Sequence, residues 1–146
     1  MPTRTARTAW NGSLQEGSGQ VELSSSKVGT YDVSFPKRAA EDAGGTTSPE
    51  ELVAAAHSAC YAMQLSAVLG EAGGTVESLE VSADVSLGPD KANGGFMLTG
   101  IKLTVRGEVD GVDADGFAKA ADAAKVGCPV SKALTGVEIT LDAALL

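Results

Sequence analysis

Apolar and polar residues alternate between Leu79 and Leu87, with Leu79, Val81, Ala83, Val85 and Leu87 set against Glu80, Ser82, Asp84 and Ser86. Successive side chains of a strand point to opposite faces, so this predicts a strand buried on one side. The same period runs through Phe96 and Leu98 but changes phase at Gly100, continuing as Ile101, Leu103 and Val105, which predicts a bulge. Gly88 to Gly95 reads as the hairpin loop between the two strands. Upstream, Thr5 to Trp10, Gln20 to Ser25 and Tyr31 to Phe35 are short segments rich in Val, Thr and aromatics, separated by Gly12, Gly17, Gly19 and Gly29, the pattern of a small meander. Val137, Ile139 and Leu141 predict a last strand.

Between meander and hairpin the texture changes to Ala, Leu, Val and Met from Ser48 to Leu69, a helical composition. Ser48 can cap the first turn, Pro49 suits the first helical position, and Glu51 completes a capping box. Glu50 and Glu51 also sit at the positive end of the helix dipole. Gly70 is expected to supply the left-handed residue that ends the helix. Ala114 to Lys125 predicts a second, shorter helix, stopped by Gly127. The order is three strands, helix, two strands, helix, strand: an α+β fold with an antiparallel sheet. The expected organisation is a single domain over 1–146, with a β-rich lobe over about 1–45 and an α+β lobe over about 46–146. Apolar residues surround the long helix on nearly every side, so it needs cover from two directions. One chain of this plan offers too little, and a two-fold homodimer would supply the missing layer.

Charge and composition narrow the function. The net charge is -8 and no basic cluster exceeds Lys37-Arg38, which argues against nucleic acid, whose binding rests on clustered Lys and Arg. No run approaches the roughly 18 apolar residues of a membrane span, and Arg4 and Arg7 are followed by no apolar signal core. A cytoplasmic protein is the expectation. The chain has two cysteines, Cys60 and Cys128, and in a reducing compartment such a pair is redox-active or simply buried rather than a permanent staple.

Cys60 lies among alanines in the long helix, the composition of tight packing, and an inert buried thiol is one reading of it. A reactive thiolate needs an electropositive neighbour. His57, the only histidine, precedes Cys60 by three residues and would make a Cys–His pair. Helical side chains lean toward the N-terminus, however, which turns this ring away from the thiol and favours a packing or interface role. Arg38 could favour the thiolate without titrating, with Glu50 as its anion because the capping box claims Glu51. Cys128, in Gly127-Cys128-Pro129-Val130, is either a helix-end residue before a turn-setting proline or a second thiol able to condense with a sulfenic acid on Cys60. Two cysteines and one histidine fall short of a structural zinc set and lack the close-spaced pair of a catalytic one. No metal or bound cofactor is expected.

The run Thr46-Thr47-Ser48-Pro49-Glu50-Glu51-Leu52-Val53-Ala54-Ala55-Ala56-His57-Ser58-Ala59-Cys60, together with Gly127-Cys128-Pro129-Val130-Ser131, resembles the two signature motifs of the OsmC/Ohr family of bacterial hydroperoxide peroxidases, and of its OsmC branch in particular. The likeness extends from Ala9-Trp10-Asn11-Gly12 to Glu138-Ile139-Thr140-Leu141-Asp142. One departure is Thr47-Ser48, where asparagine commonly precedes the proline; both residues cap helices. The resemblance implies an intertwined homodimer with active sites at the subunit interface. It further implies Cys60 as peroxidatic thiol, Cys128 as resolving thiol, Arg38 as thiolate-stabilising cation and Glu50 as the carboxylate holding it. The implied activity is reduction of organic hydroperoxides to alcohols in oxidative or osmotic stress defence, through a Cys60–Cys128 disulfide that an external dithiol or lipoyl-type reductant reopens. Two other readings of the residues stay open: a Cys60/His57 thiol hydrolase and a non-catalytic dimeric binding protein.

Overall fold

A computed structural model describes residues 1–146, which divide into two compact units, Met1–Leu52 and Val53–Leu146. In the first unit β1 (Arg7–Asn11), β2 (Ser18–Glu22) and β3 (Thr30–Val33) pair antiparallel in sequence order. The turn from β1 to β2 requires glycine twice: Gly12 has φ +93, and a Cβ on Gly17 would run into the Ser13 carbonyl. The third strand ends earlier than its alternation suggests, because Phe35–Arg38 is a one-turn helix, α1. Ser34 Oγ caps it by accepting from the Lys37 N–H at 3.3 Å, and Pro36 in its first turn removes a donor the strand would need. The chain then returns beside β3, where the Thr47 N–H donates to the Asp32 carbonyl at 2.9 Å.

The long helix α2 (Pro49–Glu71) starts as its sequence predicts, with Ser48 Oγ accepting from the Glu51 N–H at 3.1 Å. The return half of the capping box is replaced: the Glu51 carboxylate accepts from the Thr47 hydroxyl at 2.8 Å. The end also differs. Gly70 stays helical, and the left-handed residue is Gly73, at φ +86. Bonds from the Gly73 N–H to the Gly70 carbonyl (3.1 Å) and from the Gly74 N–H to the Leu69 carbonyl (2.9 Å) satisfy the last turn.

The second unit holds β4 (Thr75–Pro89), β5 (Phe96–Asp110) and β6 (Ile139–Leu145), in that spatial order. Ser86 pairs with Gly100 and Leu87 with Leu98, so Thr99 is the extra residue of the bulge that the phase change predicts. A second irregularity at Glu77 aligns Val76 with the inward row. The β4–β5 hairpin is antiparallel, but β6 runs parallel to β5, so the sheet is mixed. A crossover of two helices, α3 (Ala114–Gly127) and α4 (Pro129–Ala133), carries the chain back to the starting end of β5 before β6 begins. The sequence reading has a turn where α4 stands.

One face of α2 supplies Tyr61, Leu65 and Leu69 to a core completed by Leu103, Val105 and Val109 of β5 and Phe117, Ala121 and Ala124 of α3. Tyr61 also donates its hydroxyl to the Ala121 carbonyl at 3.0 Å, so its polar tip is satisfied where its ring is buried. The opposite face, with Ala55, Ala59, Met63 and Ala67, is exposed. The chain therefore covers its apolar helix on one side only. By length and composition α2 could also cross a membrane, contrary to the sequence expectation; its packed face is that of a core helix.

Candidate active site

Cys60 projects from α2 and Cys128 from the joint between α3 and α4, and their sulfurs lie 3.1 Å apart as free thiols. Separated by 68 residues in sequence, they meet because the crossover returns its joint to the face of α2 that packs on the core. Cys60 is half-buried and Cys128 fully buried. Their protonation differs. Burial, and then Cys128, push the Cys60 thiol above its ordinary pKa, against one lowering contact from the Val130 N–H. Burial opposes ionisation of Cys128 too, but is outweighed by the Ser131 N–H, the Cys60 thiol, the Ser131 hydroxyl and the Val130 N–H, which together hold it below its ordinary value. Among the groups of this unit, Cys128 is thus the thiol more readily ionised.

His57 is completely buried, and its Nε2 lies 2.7 Å from Ser131 Oγ, while its Nδ1 has no hydrogen-bond partner. Burial lowers its pKa, so the ring is held neutral. Neither ring nitrogen bonds Cys60, and the Cys60/His57 pairing of the hydrolase reading is not formed. Ser131 is the residue the sequence reading passes over. A usable signal existed: Cys128-Pro129 repeats the Ser48-Pro49 pattern of a residue before a helix-starting proline, which brings the residue three positions on back over the first. No group of three or more His, Cys, Asp or Glu side chains is gathered as a metal site requires.

In the first unit Arg38, on the single turn of α1, meets Glu50 at the start of α2. Arg38 Nη2 donates to Glu50 Oε1 at 2.6 Å, and its Nε reaches both carboxylate oxygens at 3.1 Å. The two residue types allow this pairing, and the family resemblance implies it. Burial raises the Glu50 pKa, but the Arg38 hydrogen bonds and charge outweigh it and hold the carboxyl below its ordinary value. Arg38 also borders a largely apolar cavity of about 400 Å³ lined by Trp10, Leu14, Val21, Phe35 and Leu52, all of the same unit.

Two small sheets, a long core helix and two cysteines brought into contact by a helical crossover define an α+β paired-thiol protein. The model of the OsmC-like protein family matches residues 42–142, and the chain belongs to that family. It is 44% identical over 133 residues to the Escherichia coli "Peroxiredoxin OsmC", covering 91% of this chain and 90% of that protein. Among solved structures, the organic hydroperoxide resistance protein OhrB of Bacillus subtilis superposes with a TM-score of 0.75 at 30% identity, covering 95% of this chain and 97% of that one. An organic hydroperoxide resistance protein from Elizabethkingia anophelis gives 0.79 at 28% identity, covering 100% and 98%. The α+β expectation and the family resemblance both stand.

Proposed function

We propose that this chain is a cysteine peroxidase that reduces organic hydroperoxides to alcohols. The observation that carries the reading is the 3.1 Å approach of Cys60 and Cys128, and the names of its relatives agree with it. In the first step the Cys60 thiolate attacks the terminal peroxide oxygen; the O–O bond breaks, the alkoxide leaves and takes up a proton as alcohol, and Cys60 becomes a sulfenic acid. Cys128 then attacks the Cys60 sulfur, the S–O bond breaks, hydroxide leaves and is protonated to water, and a disulfide joins the two residues. An external dithiol or lipoyl-type reductant returns both thiols by exchange, and no bound cofactor takes part.

Because the groups of its own unit raise rather than lower the Cys60 pKa, this reading needs a cation, and Arg38, fixed by Glu50, is assigned that role. The cavity bordered by Arg38 is almost wholly apolar, which favours alkyl or aryl hydroperoxides over hydrogen peroxide. A homodimer that covers the exposed face of α2, working in the cytoplasm, completes the proposal. The test is to titrate free thiols before and after one equivalent of cumene hydroperoxide. Loss of two thiols per chain with one alcohol formed is expected; unchanged thiols and intact peroxide would overturn the reading.

A further inference from the structure

We infer that the hydrogen bond between His57 and Ser131 is a clamp that holds the two cysteine-bearing turns against each other, making both residues positioning residues for closure of a Cys60–Cys128 disulfide. Only the use of that closure in turnover rests on the peroxidase reading; the clamp itself is a matter of side-chain arrangement. His57 stands three residues before Cys60 on α2, and Ser131 three residues after Cys128 on α4. Residues three apart share one face of a helix. The same two turns therefore meet at two points side by side: sulfur to sulfur at 3.1 Å, and His57 Nε2 to Ser131 Oγ at 2.7 Å. Each turn is closed by its own backbone. His57 and Cys60 lie inside a continuous helix, while the Lys132 N–H donates to the Cys128 carbonyl at 3.0 Å and the Cys128 N–H to the Ala124 carbonyl at 2.9 Å. A displacement of Ser131 thus carries Cys128 with it.

Beyond Cys128 itself, α4 has little else to hold it in place. Of its five residues only Ser131 is buried, with Val130 half-buried against the core. The partner of that serine is a histidine that is completely inaccessible. The bond does not depend on the ring's tautomer, since Nε2–H can donate to Oγ or the hydroxyl can donate to Nε2. Two links across one pair of rigid turns reinforce each other. With the clamp made, the second thiol is already confined beside the first, and its effective concentration there exceeds what a loose α4 would give. The coupling is reciprocal: whatever the clamp adds to the disulfide, the disulfide adds to the clamp.

The test is the equilibrium between the thiol pair and its disulfide in graded redox buffers of dithiothreitol or glutathione, read by mass after free thiols are trapped with N-ethylmaleimide under denaturing conditions. Closure joins the two sulfurs and passes two electrons and two protons to the oxidised buffer, whose own S–S bond opens. Ser131→Ala and His57→Leu should each weaken the disulfide about tenfold, a rise of about 30 mV in its reduction potential. Ser131→Thr and His57→Gln, which keep the hydroxyl and a polar group of similar reach, should restore it. The double variant Ser131→Ala/His57→Leu should shift it no further than the larger single change, because both remove one bond. A bond that serves folding alone would lower the unfolding temperature of the reduced and oxidised proteins equally and leave the potential in place. An unmoved potential in folded Ser131→Ala protein overturns the clamp, and a fall, which would show the bond holding the sulfurs apart, overturns it equally. Should His57→Leu fail to fold, Ser131→Ala decides alone, with Ser131→Thr as its control. None of these readings involves peroxide: a chain that consumes no cumene hydroperoxide yet shows these shifts supports the clamp and refutes the peroxidase, and a peroxidase whose potential does not shift refutes the clamp alone.

Discussion

The first unit buries a single hydrophobic residue, Val21, and that one still at 7% exposure, whereas the second surrounds its thiols with a cluster that includes Tyr61, Leu65, Leu69, Leu103, Val105 and Phe117, all essentially inaccessible. Each unit carries one close side-chain pair, and the pairs differ as their surroundings do. Arg38–Glu50 is a fork of charge-assisted hydrogen bonds on a short helix beside an open apolar cavity. Cys60–Cys128 is a thiol pair at the edge of a packed core, its ease of ionisation divided by individual N–H and O–H groups. The lesson is that a thiol's ionisation can be set locally by hydrogen bonds where the interior is rigid, while a long charged side chain can be presented from a region with little core.

The sharpest way to test this contrast is to remove chemistry from the core without disturbing packing. Cys60→Ser should abolish consumption of cumene hydroperoxide while thermal unfolding changes little, because the hydroxyl is close in size but far less nucleophilic; substantial turnover would remove Cys60 from the mechanism. Cys128→Ser should still consume about one equivalent per site and then stall or over-oxidise, which mass spectrometry of Cys60 would show as sulfinic acid.

Removing packing should separate the units energetically. Phe117→Ala, deep in the second, should destabilise the protein by about 3–5 kcal/mol, whereas Trp10→Ala, at 41% exposure in the first, should cost under about 1 kcal/mol; denaturant midpoints compare them, and similar losses would erase the distinction.

A smaller effect is expected from the charge pair. With Cys128→Ser as background, Arg38→Met should raise the pH midpoint of Cys60 alkylation, Glu50→Gln should raise it less, and His57→Asn should leave it nearly unchanged. A midpoint that moves only with His57 would restore the Cys–His assignment.

The smallest effects are in the pH dependence of stability. His57 has its folded pKa lowered from an ordinary 6.5, so the unfolded chain binds a proton the folded one resists. Stability is in place above that value and falls as pH drops below it, by at most about 1.4 kcal/mol per pH unit. Glu50, also lowered, acts in a more acidic window: its contribution is present above its ordinary 4.5 and is lost as pH falls through the depressed folded value. Thermal melts from pH 7 downward should show the first loss, and His57→Gln should remove it.

The parts of this molecule that could be read from the chain are those governed by short-range rules. Ser48-Pro49-Glu50-Glu51 marks the start of α2, and the phase change at Gly100 marks a bulge one residue from where it lies. The Arg38–Glu50 pair is one that two opposite charges allow, and only the family resemblance assigns it. What could not be read depends on competition or on distance. Phe35 continues the alternation of Tyr31 and Val33, and only the Ser34 cap and Pro36 decide against the strand. Gly70 and Gly73 are both able to end a helix, and the second is the one that takes the left-handed conformation. The parallel placement of β6 and the meetings of Cys60 with Cys128 and His57 with Ser131 span 68 and 74 residues, and no local pattern encodes them; the residues offered the thiol meeting as one of two readings of Cys128, and the resemblance chose between them.

The helical crossover between β5 and β6 has a consequence for the order of events during synthesis. Cys60 and its helix emerge from the ribosome well before the segment that carries Cys128 and Ser131, and the parallel β5–β6 ladder closes only after that segment has formed. Long-range pairing of this kind is the slow part of folding. The nascent chain therefore passes through a stage in which the first thiol is made and the second is not, and oxidant that reaches it then meets a cysteine without its internal partner.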